Sequence, residues 1–198
     1  MGELGKKPDL HEAQGQPSGW VQRFAGLIPA GEVLDLACGA GRHSRLIAGL
    51  GHSVLAVDRN PESLALVHGE GIQTLALDLE TGDSARSWPF SAGRFSGIIV
   101  TNYLHRPLWS LLADGLAPGG VLIYETFAIG NEQFGKPSNP DFLLARGELL
   151  SVARDYGLHV IAFEDGCVTS PKPAMLQRIC AVKSGAQQVG GIGHFVLN

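Results

Sequence analysis

Val33-Leu34-Asp35-Leu36-Ala37-Cys38-Gly39-Ala40-Gly41-Arg42-His43-Ser44 is the stretch on which the rest of the chain is organised. An apolar run ends in an acid and then in two glycines one residue apart. A helical pattern follows from Arg42 to Leu50. The order reads as strand, tight glycine turn and helix, the opening of a doubly wound α/β unit. Gly39 and Gly41 let the backbone come close to a ligand at the carboxyl end of the strand.

The residues of the turn select among ligands. A dinucleotide sets its pyrophosphate against the helix N-terminus and is signalled by G-x-G-x-x-G. Here Ser44 stands at the third glycine. The carboxylate of Asp35, at the end of the strand, would repel a pyrophosphate and attract a cation. S-adenosylmethionine carries an ammonium and a sulfonium and no phosphate. The acid-then-glycine order therefore favours it over NAD.

Asp35-Leu36-Ala37-Cys38-Gly39-Ala40-Gly41 resembles the first motif of the class I S-adenosylmethionine-dependent methyltransferases, which usually carry glycine where Ala37 stands. Three further segments agree. Ser53 to Asp58 is a second apolar strand ending in an acid, with Asn60 and Pro61 placed to cap and open the next helix. Asp58 lies 17 residues past Gly41, where a carboxylate accepts hydrogen bonds from both ribose hydroxyls. Ile72 to Leu77 is a third strand, ending in Asp78-Leu79-Glu80. The resemblance implies that Asp78 binds the adenine amine and that the Leu79 amide meets the ring. Leu116-Ala117-Pro118-Gly119-Gly120 matches the turn that precedes the fifth strand in that family.

These segments lead to an expected α/β fold, a Rossmann-like three-layer sandwich. Its seven-stranded sheet is mostly parallel, and the resemblance implies that the last strand is antiparallel. The likeness runs from about Trp20 to Lys183, within a domain expected at 20–183. Residues 1–19, polar and rich in Gly, Pro and Gln, read as a mobile leader, and 184–198 as a flexible tail. The small tellurite-resistance-like bacterial branch matches best through Cys38-Gly39-Ala40-Gly41-Arg42, although the segments after the third strand match it less well.

The expected cofactor site comprises Asp35, Ala37, Cys38, Gly39, Gly41, Asp58, Arg59, Asp78, Leu79 and Asn102. Catalytic candidates come from strand ends, where open α/β sheets bind ligands. The fourth strand, Phe95 to Thr101, is followed by Asn102-Tyr103-Leu104-His105-Arg106, and the fifth, Val121 to Thr126, contains Glu125. Tyr103, His105 and Glu125 are the candidates for substrate contact or proton removal. His105 equally suits a helix cap, and Arg106 suits either an anionic substrate or solvent. Phe127 to Ala145 has no clear period, and its length points to a substrate lid or to a surface wrap packed by Phe134 and Phe142. Trp20 and Arg23, on a short amphipathic helix, either pack on the sheet or help close the site.

With 198 residues, 44% hydrophobic and 17% charged, the chain has the size and composition of one globular domain. Its formal net charge is -4 and it has no basic block, so it lacks the electrostatic footprint of a nucleic-acid binder. No apolar run reaches the ~18 residues a membrane span needs. Cys38, Cys167 and Cys180, odd in number and widely spaced, suggest reduced thiols and a cytoplasmic setting. The seven histidines show no metal-ligand spacing, so no metal site is expected. The expected activity is methyl transfer from S-adenosylmethionine to a small-molecule acceptor. The rivals are an RNA or protein methyltransferase, a non-catalytic cofactor-binding module and, weakest, an NAD-dependent oxidoreductase.

Overall fold

The computed structural model describes residues 15–82, 87–170 and 172–185. Seven strands form one sheet in the order β3-β2-β1-β4-β5-β7-β6. They are β1 (Glu32–Leu36), β2 (Ser53–Asp58), β3 (Ile72–Ala76), β4 (Phe95–Thr101), β5 (Leu116–Phe127), β6 (Leu158–Val168) and β7 (Ala174–Lys183). β1 to β5 pair in parallel, and β7 inserts antiparallel between β5 and β6. This is the expected arrangement. The order reverses beside β1, between β2 and β4, which opens a crevice at the strands' carboxyl ends.

Side-chain alternation builds a core on each face. Leu34 and Leu36 of β1, Ile98 and Val100 of β4, and Leu122 and Tyr124 of β5 share one apolar cluster. It is covered by helices α4 (Trp109–Gly115) and α5 (Glu148–Asp155). Val33, Ile99, Val121 and Ile123 point the other way, onto α1 (Gly19–Phe24) and α2 (Arg42–Gly49). Strands covered on both faces are apolar at nearly every position, which explains the unbroken runs in the sequence. Ser96 and Gly97 open β4, and packing accounts for both. A Cβ on Gly97 would stand 2.8 Å from the Ile28 side chain. The Ser96 hydroxyl donates to the Glu32 carbonyl.

Several boundaries differ from expectation. Helix α3 spans only Pro61–Leu64, not the stretch to Gly69. The chain then turns so that Val67 packs against the glycine loop. The Pro118-Gly119-Gly120 segment lies within β5 as an irregularity, because Leu116 already pairs with Phe95 before Val121 pairs with Gly97. α5 begins at Glu148 rather than Arg146, since Gly147 precedes it in a left-handed conformation. Asn60 does cap α3, accepting from the amides of Glu62 and Ser63. Gly157 ends α5 at φ +65°.

The segment after β5 is folded rather than structureless. It contains 3-10 turns at Asn131–Gln133 and Pro140–Phe142, and a bridge from Ala128 to Leu144. Buried Asn131 pins it, donating to the Pro137 carbonyl and accepting from the Met175 amide. Leu143 and Leu144 supply its packing, whereas Phe134 and Phe142 are 43% and 51% exposed. A wrap packed by those two phenylalanines is thus corrected: the aromatics face outward. Trp88 and Phe90 pack at the base of the preceding loop as expected, while Pro89 is exposed.

Candidate active site

The loop after β1 bends three times through left-handed backbone, at Ala37 (φ +53°), Gly39 (φ +55°) and Gly41 (φ +75°). The two glycines serve different ends. A Cβ on Gly41 would stand 2.8 Å from Val67 Cγ1, so glycine there admits the chain after α3. Gly39 has open space where its Cβ would be, and its role is the backbone it presents to Asp58. Ala37 adopts a conformation that costs an L-residue ~1–2 kcal/mol, which explains glycine as the usual occupant in the resembled family.

Asp58, at the end of β2, is tied to this loop. Its Oδ2 accepts from the Gly39 amide and its Oδ1 from the Asn60 amide, both at 2.8 Å. Each oxygen keeps an unused lone pair, the arrangement needed to accept two neighbouring hydroxyls. Asp35 lies beneath the loop and is fully buried. Its Oδ2 accepts from the Ser44 hydroxyl, and its Oδ1 has no partner. Burial raises its pKa to about 6, against the lowering effect of the Ser44 hydrogen bonds. His43, one residue earlier on α2, is also buried, and burial lowers its pKa to about 3. The neutral ring accepts from the Ser18 amide at Nε2 and meets the Thr101 hydroxyl at Nδ1. That contact fastens Gly15–Ser18 against α2, so the described end of the expected leader is held in place. Residues 1–14 of it lie outside the described residues.

Two cavities meet at the carboxyl ends of the strands. The first, about 360 Å³, is lined by Ala37, Asp58, Arg59, Asp78, Leu79, Asn102 and Tyr103, and by Phe142 of the segment after β5. Its size suits one cofactor-sized ligand. Asp78 is exposed and accepts from the Glu80 amide. The Tyr103 hydroxyl donates to Glu80 at 3.2 Å, and burial with that acid holds the phenol pKa well above its usual value. The second cavity, about 1290 Å³, is lined by Ser18, Trp20, Arg23, Arg42, Glu125, Phe134, Lys136, Glu164, Lys172 and Arg178, among others. The two share Asn102 and Phe127. Asn102 holds φ +55°, and its amide donates to the Glu125 carbonyl, so a non-glycine residue sits in left-handed backbone where the cavities join.

A charge network crosses the second cavity. Register places Glu125 of β5 opposite Arg178 of β7, and their side chains form a 2.5 Å ion pair. Arg178 also donates to Glu164 of β6, which Arg23 of α1 approaches at 3.6 Å. Arg106, by contrast, clamps the segment after β5. It donates to both oxygens of Glu148 and to the carbonyls of Asp141 and Leu143.

The expected cofactor residues fall into two groups. Ala37, Asp58, Arg59, Asp78, Leu79 and Asn102 line the first cavity. Asp35, Cys38, Gly39 and Gly41 shape the loop behind it without lining either cavity. Cys38 packs with Ala56, Leu64 and Val67, and burial pushes its thiol pKa far up, so it is a packing residue and not a reactive one. The three catalytic candidates separate: Glu125 faces the second cavity, Tyr103 the first, and His105 neither. The His105 side chain does not cap the following 3-10 turn either. Sequence reasoning missed Arg178, Glu164, Lys136 and Lys172, which become neighbours only through the β5-β7-β6 pairing and the folded segment. Trp20 and Arg23 do line the second cavity. Among the described residues no group of three or more His, Cys, Asp or Glu is placed to hold a metal ion, and no helix is long and apolar enough to cross a membrane.

The family described as "Methyltransferase domain" matches residues 33–120. A protein-L-isoaspartate O-methyltransferase of Chlorobaculum tepidum is 33% identical over 108 residues, 54% of this chain and 49% of that protein. The chain thus spans about half the length of the curated relatives it matches. Among solved structures, TehB of Haemophilus influenzae superposes with a TM-score of 0.67 at 20% identity, covering 85% of this chain and 63% of that one. An S-adenosylmethionine-dependent methyltransferase of Methanosarcina mazei superposes with a TM-score of 0.64 at 15% identity, covering 86% and 99%. At those identities the likeness is one of fold. The family match falls on the segment that carries the glycine loop, and the fold is one shared with S-adenosylmethionine-dependent methyltransferases of known structure.

Proposed function

We propose that the chain transfers the methyl group of S-adenosylmethionine to a small-molecule acceptor, with the cofactor in the first cavity and the acceptor in the second. The observation that carries this reading is their junction at Asn102 and Phe127, with strand-end acids on one side and Glu125 on the other. The chain's residues fit the cofactor. Asp58 offers two acceptor oxygens to ribose hydroxyls, and Asp78 lies along the same cavity. Asp35, buried with one oxygen unpartnered, places negative potential behind the loop, where an ammonium and a sulfonium are favoured.

When bound, S-adenosylmethionine supplies a methyl carbon already activated by sulfonium: a lone pair of the acceptor forms the new bond to that carbon as the carbon–sulfur bond breaks and its electrons stay on sulfur. The protein's work is then positioning and exclusion of water. Tyr103 is assigned to the cofactor wall, because its raised pKa keeps the phenol neutral and its hydroxyl is engaged with Glu80. Glu125 takes the role of proton acceptor when the nucleophile carries a proton, with Arg178 holding its carboxylate in place. His105, which lines neither cavity, drops out of that role. Phe142 on the first cavity and Phe134 on the second, both largely exposed, are the groups a bound ligand would cover, which supports a lid role for the segment after β5.

A protein acceptor is the second reading, favoured by the isoaspartate methyltransferase relative. Release of S-adenosylhomocysteine tests both. Turnover with small nucleophiles and none with an isoaspartyl peptide supports the proposal, and turnover with the peptide alone refutes it.

A further inference from the structure

The charges on the second cavity are unbalanced. Among the described residues, five cations line it, Arg23, Arg42, Lys136, Lys172 and Arg178, against two carboxylates, Glu125 and Glu164. The whole chain carries a formal net charge of -4, so this concentration runs against the composition. Two of the cations are already spent: Arg178 pairs with Glu125 and Glu164, and Arg23 with Glu164. The surplus is Arg42, Lys136 and Lys172. Among the described residues Arg42 donates to the neutral carbonyl of Gln16, at 3.5 Å, and forms no ion pair. Lys136 and Lys172 form no ion pair among the described residues, and they come from separate segments, one after β5 and one before β7. Trp20, Phe127, Phe134 and Leu176 give the same cavity an apolar wall.

We propose that the acceptor is an anionic small molecule, a carboxylate or phosphate on an apolar body, whose charge is met by Lys136, Lys172 and Arg42. The inference rests on the assignment of the second cavity to the acceptor. Charge on a concave wall of low dielectric focuses potential and raises the local concentration of an oppositely charged ligand. The pairing of Glu125 with Arg178 matters here, because it removes the one carboxylate that would repel an anion close to the reacting atoms.

The test uses the full chain saturated with S-adenosylhomocysteine and matched ligands that differ in charge alone: benzoate with benzamide, indole-3-acetate with indole-3-acetamide, and phenyl phosphate with phenol. In at least one pair the anion should bind about tenfold tighter or more at low salt, and the preference should shrink as salt rises. The double variant Lys136→Gln/Lys172→Gln should lose most of that preference while keeping its S-adenosylhomocysteine affinity. The carboxylate and phosphate arms separate the two kinds of anion. Equal binding within every pair, no binding of any anion, or an unchanged preference in the double variant overturns the proposal. So does tighter binding of a short single-stranded RNA than of every small anion. Failure to bind S-adenosylhomocysteine would instead overturn the functional reading, and the same titration reports it separately.

Discussion

Replacing Arg178 by Met should cost stability out of proportion to the loss of one surface cation. Glu125 has a side chain only 7% exposed, and Arg178 one 21% exposed. Their 2.5 Å contact is a close ion pair rather than an aligned hydrogen bond, since neither Glu125 Oε2 nor Arg178 Nε has a hydrogen-bond partner. Attraction between the charges is therefore the main compensation for burying Glu125. Breaking a buried pair by removing one partner costs ~3–5 kcal/mol. The residual exposure of Arg178 places this case lower, at ~2–4 kcal/mol. In a domain of this size 1 kcal/mol moves Tm by ~2–4 °C, so the variant should melt roughly 4–16 °C lower. Adding Glu125→Gln removes the stranded charge and should recover most of that loss. Thermal unfolding by circular dichroism of both variants gives the answer. If the single variant melts within about 2 °C of the parent, or the double variant melts lower than the single, the buried-pair reasoning is refuted.

Asp58→Ala should weaken S-adenosylhomocysteine by about 10²-fold or more, because it removes hydrogen bonds to an ionised acceptor worth ~1.5–3 kcal/mol each; titration calorimetry would detect it, and unchanged affinity would remove Asp58 from the site. Gly41→Ala should destabilise by ~1–3 kcal/mol, since its Cβ meets Val67 at 2.8 Å and φ is +75°; adding Val67→Ala should relieve the clash but not the backbone strain, as chemical denaturation would show. Asp35 and His43 should pull stability in opposite directions on acidification. The folded pKa of Asp35 is raised from 3.8 to about 6, so its contribution grows as pH falls from 6 to 4. That of His43 is lowered from 6.5 to about 3, so its contribution is lost as pH falls from 6.5. Asp35→Asn should therefore steepen the loss of stability between pH 6 and 4, and His43→Gln should flatten it, in denaturant titrations run across that range.

The sheet and the first cavity were legible because their signals are local. Each of the first three strands is a short apolar run that ends at an acid, and strand ends in a parallel sheet fall together at one edge. Asp58 and Asp78 thus reach one cavity from positions 20 residues apart without any long-range information. The second cavity was not legible, because its chemistry is made by pairing across distance. Glu125 read as a free candidate base, and only the antiparallel register of β7 sets Arg178 beside it. His105 misled for the opposite reason. Its place just after a strand suggests a site, but it lines neither cavity, and its side chain does not cap the 3-10 turn at Arg106–Leu108. Arg106 shows the same limit: its guanidinium holds a helix and two loop carbonyls, partners that no sequence spacing reveals. Asp35 drew notice as an acid at a strand end, yet alternation along β1 sends it beneath the loop, where its influence is electrostatic rather than by contact.

The most direct measurement is a calorimetric titration of the purified chain with S-adenosylmethionine, S-adenosylhomocysteine and NAD, each in turn. The account predicts saturable binding of both sulfur compounds and none of NAD, with Asp58→Ala abolishing or greatly weakening the former. Binding of NAD alone, or of none of the three, would contradict it and would mean that the loop from Asp35 to Gly41 does not hold this cofactor.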